Sequence, residues 1–380
     1  MTSSERIEKT FRFEPTDKIP VFHIGLSSKT ASALLGREAY IGGGVQQWRE
    51  ACALWNGEAA HEEYLERSME DAFEISDALN MDIVRAEYWR MPEKPAKKLD
   101  RYNFLYGDER NWRIRRYYPE TEIYDTVDSY PPPVQVTFGD LEQQLNLREK
   151  ELAEYDPRQT FRAAERALEK AGGKKAVRIN AGHMDIPVEA VWMEAVCLAP
   201  ELVERHLALQ AEKALKDIAY LARMKGSRYI FGGSDIACNT GTLFSPAVFR
   251  QLFLPALRRV TEACHNAGLL MFFCSDGRLW PVAEDLFGRS GLDGYCEIDR
   301  RAGMDLNQLR ERFPGLRLIG NISSATVHLS DALDIEREVI SCMDSAKKYG
   351  GITVGCSNYF MNETPVQNVI ALREAIEKYR

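Results

Sequence analysis

The sequence predicts an α/β fold, a (β/α)8 TIM barrel with an inserted antiparallel β and helical decoration after its second strand. Eight short apolar, β-branched stretches end in polar residues or glycine, at 19–24, 81–86, 176–180, 229–233, 269–274, 294–298, 316–320 and 352–356. Amphipathic patterns such as 200–225, 246–267 and 335–349 lie between them, and strands that alternate with helices pair in parallel. The later stretches recur at a tight βα spacing that leaves no room for a further domain.

Residues 1–380 therefore read as one barrel domain, with 90–173 as an insertion packed on it. The first half of the insertion alternates polar with aromatic or β-branched residues around the turn signals Gly107-Asp108 and Pro119-Glu120, which predicts antiparallel strands. Pro131, Pro132 and Pro133 end it, and 137–170 returns to the third strand as helix. An open doubly wound sheet is the competing architecture, but no GxGxxG follows any of the stretches.

Composition narrows the function. The chain of 380 residues carries a net charge of −8, which disfavours phosphate backbones, and the basic run 110–116 reads as the solvated face of a strand. No apolar run reaches the ~20 residues of a membrane helix, and MTSSERIEKTF lacks the apolar core of a secretory signal, so a cytoplasmic protein with no membrane or nucleic-acid partner is expected. The eight cysteines form no CxxC pair and are expected to be reduced thiols; Cys52, Cys197, Cys264 and Cys342 fall in helical patterns.

Chemistry in such a barrel belongs at the carboxyl ends of the strands. There the sequence places His23, Glu87, Asn180, His183, Asp235, Cys274, Asp276, Glu297, Asn321 and Cys356. Cys274, Glu297 and Cys356 come from the fifth, sixth and eighth strands. Two thiolates and a carboxylate suit zinc, and three protein ligands leave a position open for substrate.

The runs LLMFFCSDGRLWPVAEDL, GLDGYCEIDRRAGMDLNQLRERFPGLRLIGNIS and GGITVGCSNYFMNETPVQNVIALREAI, supported by ERIEKTFRFEPTDKIPV and GGSDIACNTGTLFSPAVFRQLFLPALRRV, resemble the uroporphyrinogen decarboxylase superfamily, in particular its cobalamin-dependent methyltransferase branch. The resemblance implies the same barrel and a zinc held by a His-x-Cys pair, a later acid and a cysteine near the C-terminus. Cys274 stands where that histidine would be and Asp276 where the first cysteine would be, while Glu297 and Cys356 match the acid and the last cysteine. Asp276 is then either a fourth ligand or a residue that supports the other three. The decarboxylase branch carries an arginine-rich N-terminal signature, and this chain has VFHIGLSSKT instead.

The resemblance implies transfer of a methyl group between a small methylated compound or thiol, such as a methoxy-aromatic ether, and the cobalt of a corrinoid on a separate partner protein. Zinc would lower a thiol's pKa or activate an ether. His23 and His183 are candidates to protonate a leaving oxygen or orient substrate, and Asp235 to position substrate or partner. Asn180, Asn321, Trp192 and Tyr359 are the candidate substrate contacts, and Tyr88, Trp89, Phe272, Tyr295 and Phe360 the remaining aromatics near the strand ends. A decarboxylase-type lyase using Asp235 and a basic clamp, and a barrel that binds without catalysing, are the alternatives.

Overall fold

The computed structural model describes residues 1–86, 90–132, 135–226 and 228–380. Each predicted stretch contains parallel pairing. Ile179–Asn180, Tyr229–Gly232, Leu270–Cys274, Gly294–Cys296, Arg317–Ile319 and Ile352–Thr353 form a six-stranded sheet in chain order, and Ile83–Val84 pairs with Ala176–Val177. This α/β order is consistent with a TIM barrel. The regular ladders themselves do not close. Segment 20–24 meets the last strand through a bridge between Val21 and Val354, and meets residue 82 through the Asp82 N–H to the Val21 carbonyl at 2.8 Å.

Alternation decides which side chains fill the sheet's interior. Phe231 and Phe272 are paired residues on neighbouring strands, and their rings stack at 5.1 Å. Phe22 approaches Phe231 at 6.3 Å. The helix Ser3–Phe11, opened by a capping box between Thr2 and Glu5, sets Phe11 against Tyr229 and Phe272 at 5.3 and 4.9 Å. The amino-terminal end of the strands is thereby plugged, and solvent reaches the sheet from the carboxyl end.

Between the second and third stretches, Lys97–Lys98, Asn103–Gly107, Trp112–Tyr118 and Ile123–Tyr130 form a four-stranded antiparallel sheet. Gly107 turns it at φ 91°, where a Cβ would lie 2.0 Å from the Asn111 carbonyl oxygen, and the Asp108 carboxylate accepts from the N–H groups of Arg110 and Asn111. The alternate residues Phe104 and Tyr106 with Tyr117 and Tyr124 form an apolar cluster with Val45 and Ala51 of the helix Gly43–Asn56. The helices Phe138–Glu154 and Pro157–Ala171 follow. Among the described residues no helix is long and apolar enough to cross a membrane.

The seam between the last strand and segment 20–24 admits no side chain at residue 355. A Cβ on Gly355 would stand 1.8 Å from the Phe22 carbonyl oxygen, a backbone atom that cannot swing away. Gly355→Ala is expected to destabilise the protein by about 1–3 kcal/mol or more, read as a fall in the urea midpoint.

Candidate active site at the carboxyl ends of the strands

Among the described residues, one group of three possible ligand side chains brings its donor atoms within 4.8 Å of one another: Asp235, Asp276 and Glu297. They follow the strands Tyr229–Gly232, Leu270–Cys274 and Gly294–Cys296. The turn after Cys274 is locked to the loop after Gly232. Ile236 N–H donates to Ser275 Oγ at 3.3 Å and Asp276 N–H to Asp235 Oδ1 at 2.9 Å, while a Cβ on Gly277, φ 84°, would run into the Ala237 backbone at 2.7 Å. Asn358 Nδ2 donates to Asp276 Oδ2 at 2.6 Å.

Glu297 reaches the cluster by breaking the strand's alternation. Cys274 and Cys296 are register partners and face the same way, so a regular continuation would send residue 297 to the opposite face. Instead Glu297 adopts φ 68°, a left-handed conformation disfavoured for a side chain with a Cβ. Its carboxylate then lies 3.8 Å from Arg178 Nη2. Burial raises the Glu297 pKa against the pull of Arg178 and Arg85. Burial, then the charges of Glu297, Asp235 and Asp299, push the Asp276 carboxyl up to about 8.

Of the ligand set read from the sequence, Cys274, Glu297, Cys356 and Asp276, the close group contains Asp276 and Glu297, joined by Asp235 and by neither thiol. Cys356 is 1% exposed, its thiol pushed up to about 12 by burial. Cys274 has Arg178 Nη2 at 3.6 Å and shares a hydrogen bond with the thiol of Cys296, a buried neighbour the sequence reading passed over.

A cavity of about 780 Å³ opens beside the cluster, and Arg85, Arg178, Asn180, His183, Phe231 and Cys274 line its strand end. Its outer wall comes from the helices Phe138–Glu154 and Pro200–Leu221 and includes Arg148, His206 and Lys213. His183 is placed to work there. Nδ1 lies 3.0 Å from the Gly233 carbonyl oxygen and Nε2 3.5 Å from Asp185 Oδ1, and the hydrogen bond with Asp185 raises its pKa. Burial opposes ionisation of Asp185, but His183, His206 and Gln210 hold its carboxyl well below the usual range.

The other candidates take structural places. His23 does not line the cavity; burial lowers its pKa to about 4, and Nδ1 accepts from the Cys356 N–H at 3.0 Å, so the ring is neutral at pH 7 with its proton on Nε2. Its buried Nε2 has no hydrogen-bond partner among the described residues. Asn321 is 1% exposed and donates to the Met304 carbonyl at 2.8 Å, which commits its amide to the core. Trp192 is 5% exposed and packs 4.6 Å from the His206 ring, supporting a cavity wall rather than forming it. Tyr359 lies in Tyr359–Phe360, which pairs with Gly25–Leu26 outside the cavity. Phe272, Tyr295 and Phe360 are fully buried. Glu87, Tyr88 and Trp89 lie outside the described residues.

Two measurements follow from this geometry. Glu297→Gly is expected to raise stability by ~1 kcal/mol in urea, because glycine takes the left-handed conformation without strain, while removing the cluster's third carboxylate. The His183–Asp185 pair contributes stability that is complete below the ordinary histidine value of 6.5 and is lost as pH rises through the raised folded value. Asp185→Asn is therefore expected to lower the His183 midpoint in an NMR titration, and an unchanged midpoint would show that the pair does not set it.

Residues 199–379 match the family model described as uroporphyrinogen decarboxylase (URO-D). No curated protein matches the sequence. Among solved structures, a methyltransferase from Methanosarcina mazei has a TM-score of 0.63 at 18% identity, covering 100% of this chain and 99% of that one, a likeness of fold. A 3-keto-L-gulonate-6-phosphate decarboxylase from Vibrio cholerae O1 biovar El Tor has a TM-score of 0.27 at 11% identity over 58% of this chain and 80% of its own, too low to carry an argument. The same holds for a sugar phosphate isomerase/epimerase from Parabacteroides distasonis, with a TM-score of 0.30 at 11% identity over 56% of this chain and 73% of its own. The region matched by the uroporphyrinogen decarboxylase model, 199–379, supplies Asp235, Asp276 and Glu297.

Proposed function

We propose that this protein is a metal-dependent methyltransferase that moves a methyl group between a small methylated compound, such as a methoxy-aromatic ether, and the cobalt of a corrinoid carried by a partner protein. The observation that carries the reading is the convergence of Asp235, Asp276 and Glu297 beside a cavity lined by His183. In this reading residues 1–380 act as one closed (β/α)8 domain, with 90–173 decorating it.

Three oxygen donors fit a divalent cation, and zinc accepts carboxylates, but they do not fit the thiolate-rich zinc site implied by the family resemblance. Asp235, Asp276 and Glu297 would hold the ion, which when bound polarises the oxygen or sulfur that carries the methyl group. The remaining work belongs to side chains of this chain. His183, kept protonated by Asp185 and fixed by the Gly233 carbonyl, donates its Nε2 proton to the departing oxygen. Arg178 holds Glu297 in its left-handed turn.

A decarboxylase-type lyase is the second reading, favoured by Arg85 and Arg178 as a basic clamp at the strand end of the cavity. Metal content separates the two. Protein purified without chelator is expected to hold about one divalent ion per chain by elemental analysis, with loss in Asp276→Asn and Glu297→Gln and retention in Cys356→Ala. Methyl transfer from a methoxy-aromatic to an added corrinoid should fall with the metal. A metal-free protein that releases carbon dioxide from an organic acid would establish the lyase instead, and one that does neither would be a binding barrel.

A further inference from the structure

One face of the helix Pro200–Leu221 walls the cavity. His206, Gln210, Lys213 and Asp217 all line it, and they stand at i, i+4, i+7 and i+11, the spacing of a single helical stripe. Two of them, one turn apart, converge on Asp185, which lies in the irregular segment after the third strand. Gln210 Oε1 accepts the Asp185 N–H at 3.1 Å, which turns the amide nitrogen toward Asp185 Oδ1, where it donates. His206 Nε2 faces the same oxygen from 3.6 Å, and this buried nitrogen has no nearer partner among the described residues. His183 Nε2 meets that oxygen at 3.5 Å. Methyl transfer as read above gives His206 no task.

The His206 ring is fixed from two sides. It packs 4.6 Å from the Trp192 ring, and its Nδ1 lies 2.9 Å from Nη1 of Arg148 on the helix Phe138–Glu154. A guanidinium can only donate, so Nδ1 accepts and the ring's proton sits on Nε2, toward Asp185. Without the arginine the two tautomers compete, and the one with a bare Nε2 sets a lone pair against a carboxylate. His183 is fixed in the opposite sense. Its Nδ1 is 3.0 Å from the Gly233 carbonyl, which can only accept, so Nδ1 carries a proton and Nε2, facing the carboxylate, carries the second. The groups acting on His183 are Asp185, whose hydrogen bond raises its pKa, and Lys213, whose charge lowers it. Those acting on Asp185 are His183, His206 and Gln210.

We propose that Arg148 and His206 are positioning residues for the acid His183: Arg148 fixes the His206 tautomer, His206 presents its Nε2 proton to Asp185, and Asp185, held on that side, keeps His183 in place as a proton donor. Arg148 comes from the stretch inserted between the second and third strands and precedes the region 199–379 matched by the family model, so a part of the chain outside that region acts on the acid. This positioning deepens the methyl-transfer reading and rests on it only for the oxygen that receives the proton.

NMR of the intact protein with nitrogen-15-labelled histidine tests this. In the unmodified protein at about pH 8, His206 is expected to show a bare Nδ1 and a protonated Nε2. Arg148→Met should give a mixture of His206 tautomers and lower the His183 midpoint toward the ordinary 6.5. Loss of a positive charge acting through space would by itself raise that midpoint, so a fall is the mark of positioning. Arg148→Lys, still a donor, should restore the tautomer and part of the midpoint, and His206→Phe, which keeps a ring against Trp192 without the proton, should lower the midpoint as Arg148→Met does. A proton on Nδ1 of His206 in the unmodified protein, or a His183 midpoint that rises or stays in Arg148→Met, would overturn the proposal. The tautomer readout needs no variant and decides even if a variant fails to fold. Activity separates the two readings: the alkaline limb of methyl release to a corrinoid should follow the His183 midpoint, each half unit of fall costing about threefold in rate at alkaline pH. The expected spectra without methyl release would remove the methyl-transfer reading and keep the positioning, and methyl release whose alkaline limb ignores the midpoint would do the reverse.

Discussion

A strand with neighbours on both sides must satisfy its amide groups twice over, and segment 20–24 does so with few ladder bonds. Toward the last strand, Phe22 and Ile24 donate to the carbonyls of Val354 and Cys356, and Val354 donates back to Pro20. Toward the second strand the work falls on Asp82, whose N–H donates to the Val21 carbonyl and whose carboxylate accepts the Val21 N–H at 2.9 Å. That carboxylate is 1% exposed and also receives Arg6 of the first helix and Arg380 at the chain's end, the latter at 3.0 Å. A single buried acid therefore ties both ends of the chain to the seam between segment 20–24 and the second strand. Removing one partner from such a group leaves a charge in the interior, so the arrangement depends on all of them together.

The seam also fixes what the site can use. Ile24 and Cys356 are joined through the backbone and His23 Nδ1 accepts from the Cys356 N–H, so the first and last strands are tied at their carboxyl ends. The clustered acids follow the fourth, fifth and sixth strands, where Asp235, Asp276 and Glu297 crowd together. Burial, then the charges of Glu297 and Asp235, oppose ionisation of Asp276, whose carboxyl rises to about 8, and a raised acid costs stability increasingly above its ordinary 3.8. A proton or a cation relieves that cost. Arg178 and Arg85 relieve it in part for Glu297, which is the electrostatic reason that two arginines and three acids occupy adjacent corners of one opening.

The strand series was legible because alternation and chain spacing are local properties, and each predicted stretch holds paired residues of the sheet. The plug formed by Phe11 was not legible, since nothing in SSERIEKTF says which end of a sheet it will cover. Asp276 and Glu297 were legible as strand-end acids. Asp235 was legible only as a positioning residue, because strand-end position does not say which loop side chains close on one another. Arg85 and Arg178 carried a signal that went unused: each is a lone charge inside an apolar, β-branched run, MDIVRA and KAVRIN, where alternation turns it to one face.

The division of labour along the chain has a consequence for specificity. The three clustered carboxylates all fall within 199–379, the region shared with the superfamily. Arg85, Arg178, Arg148 and Tyr155 precede it, and the last two come from the chain between the second and third strands, on and just after the helix Phe138–Glu154. That helix is joined to Pro200–Leu221 through Arg148 to His206 at 2.9 Å, and the residue after it through Tyr155 to Asp217 at 2.7 Å. These contacts hold the two helices of the cavity's outer wall together. Substitution in this inserted stretch can reshape what the cavity accepts without touching the carboxylates, whereas a change at the strand ends alters chemistry and sheet together. The clustered carboxylates thus follow paired strands, while part of the cavity's outer wall rests on a helix that the strands do not need in order to pair.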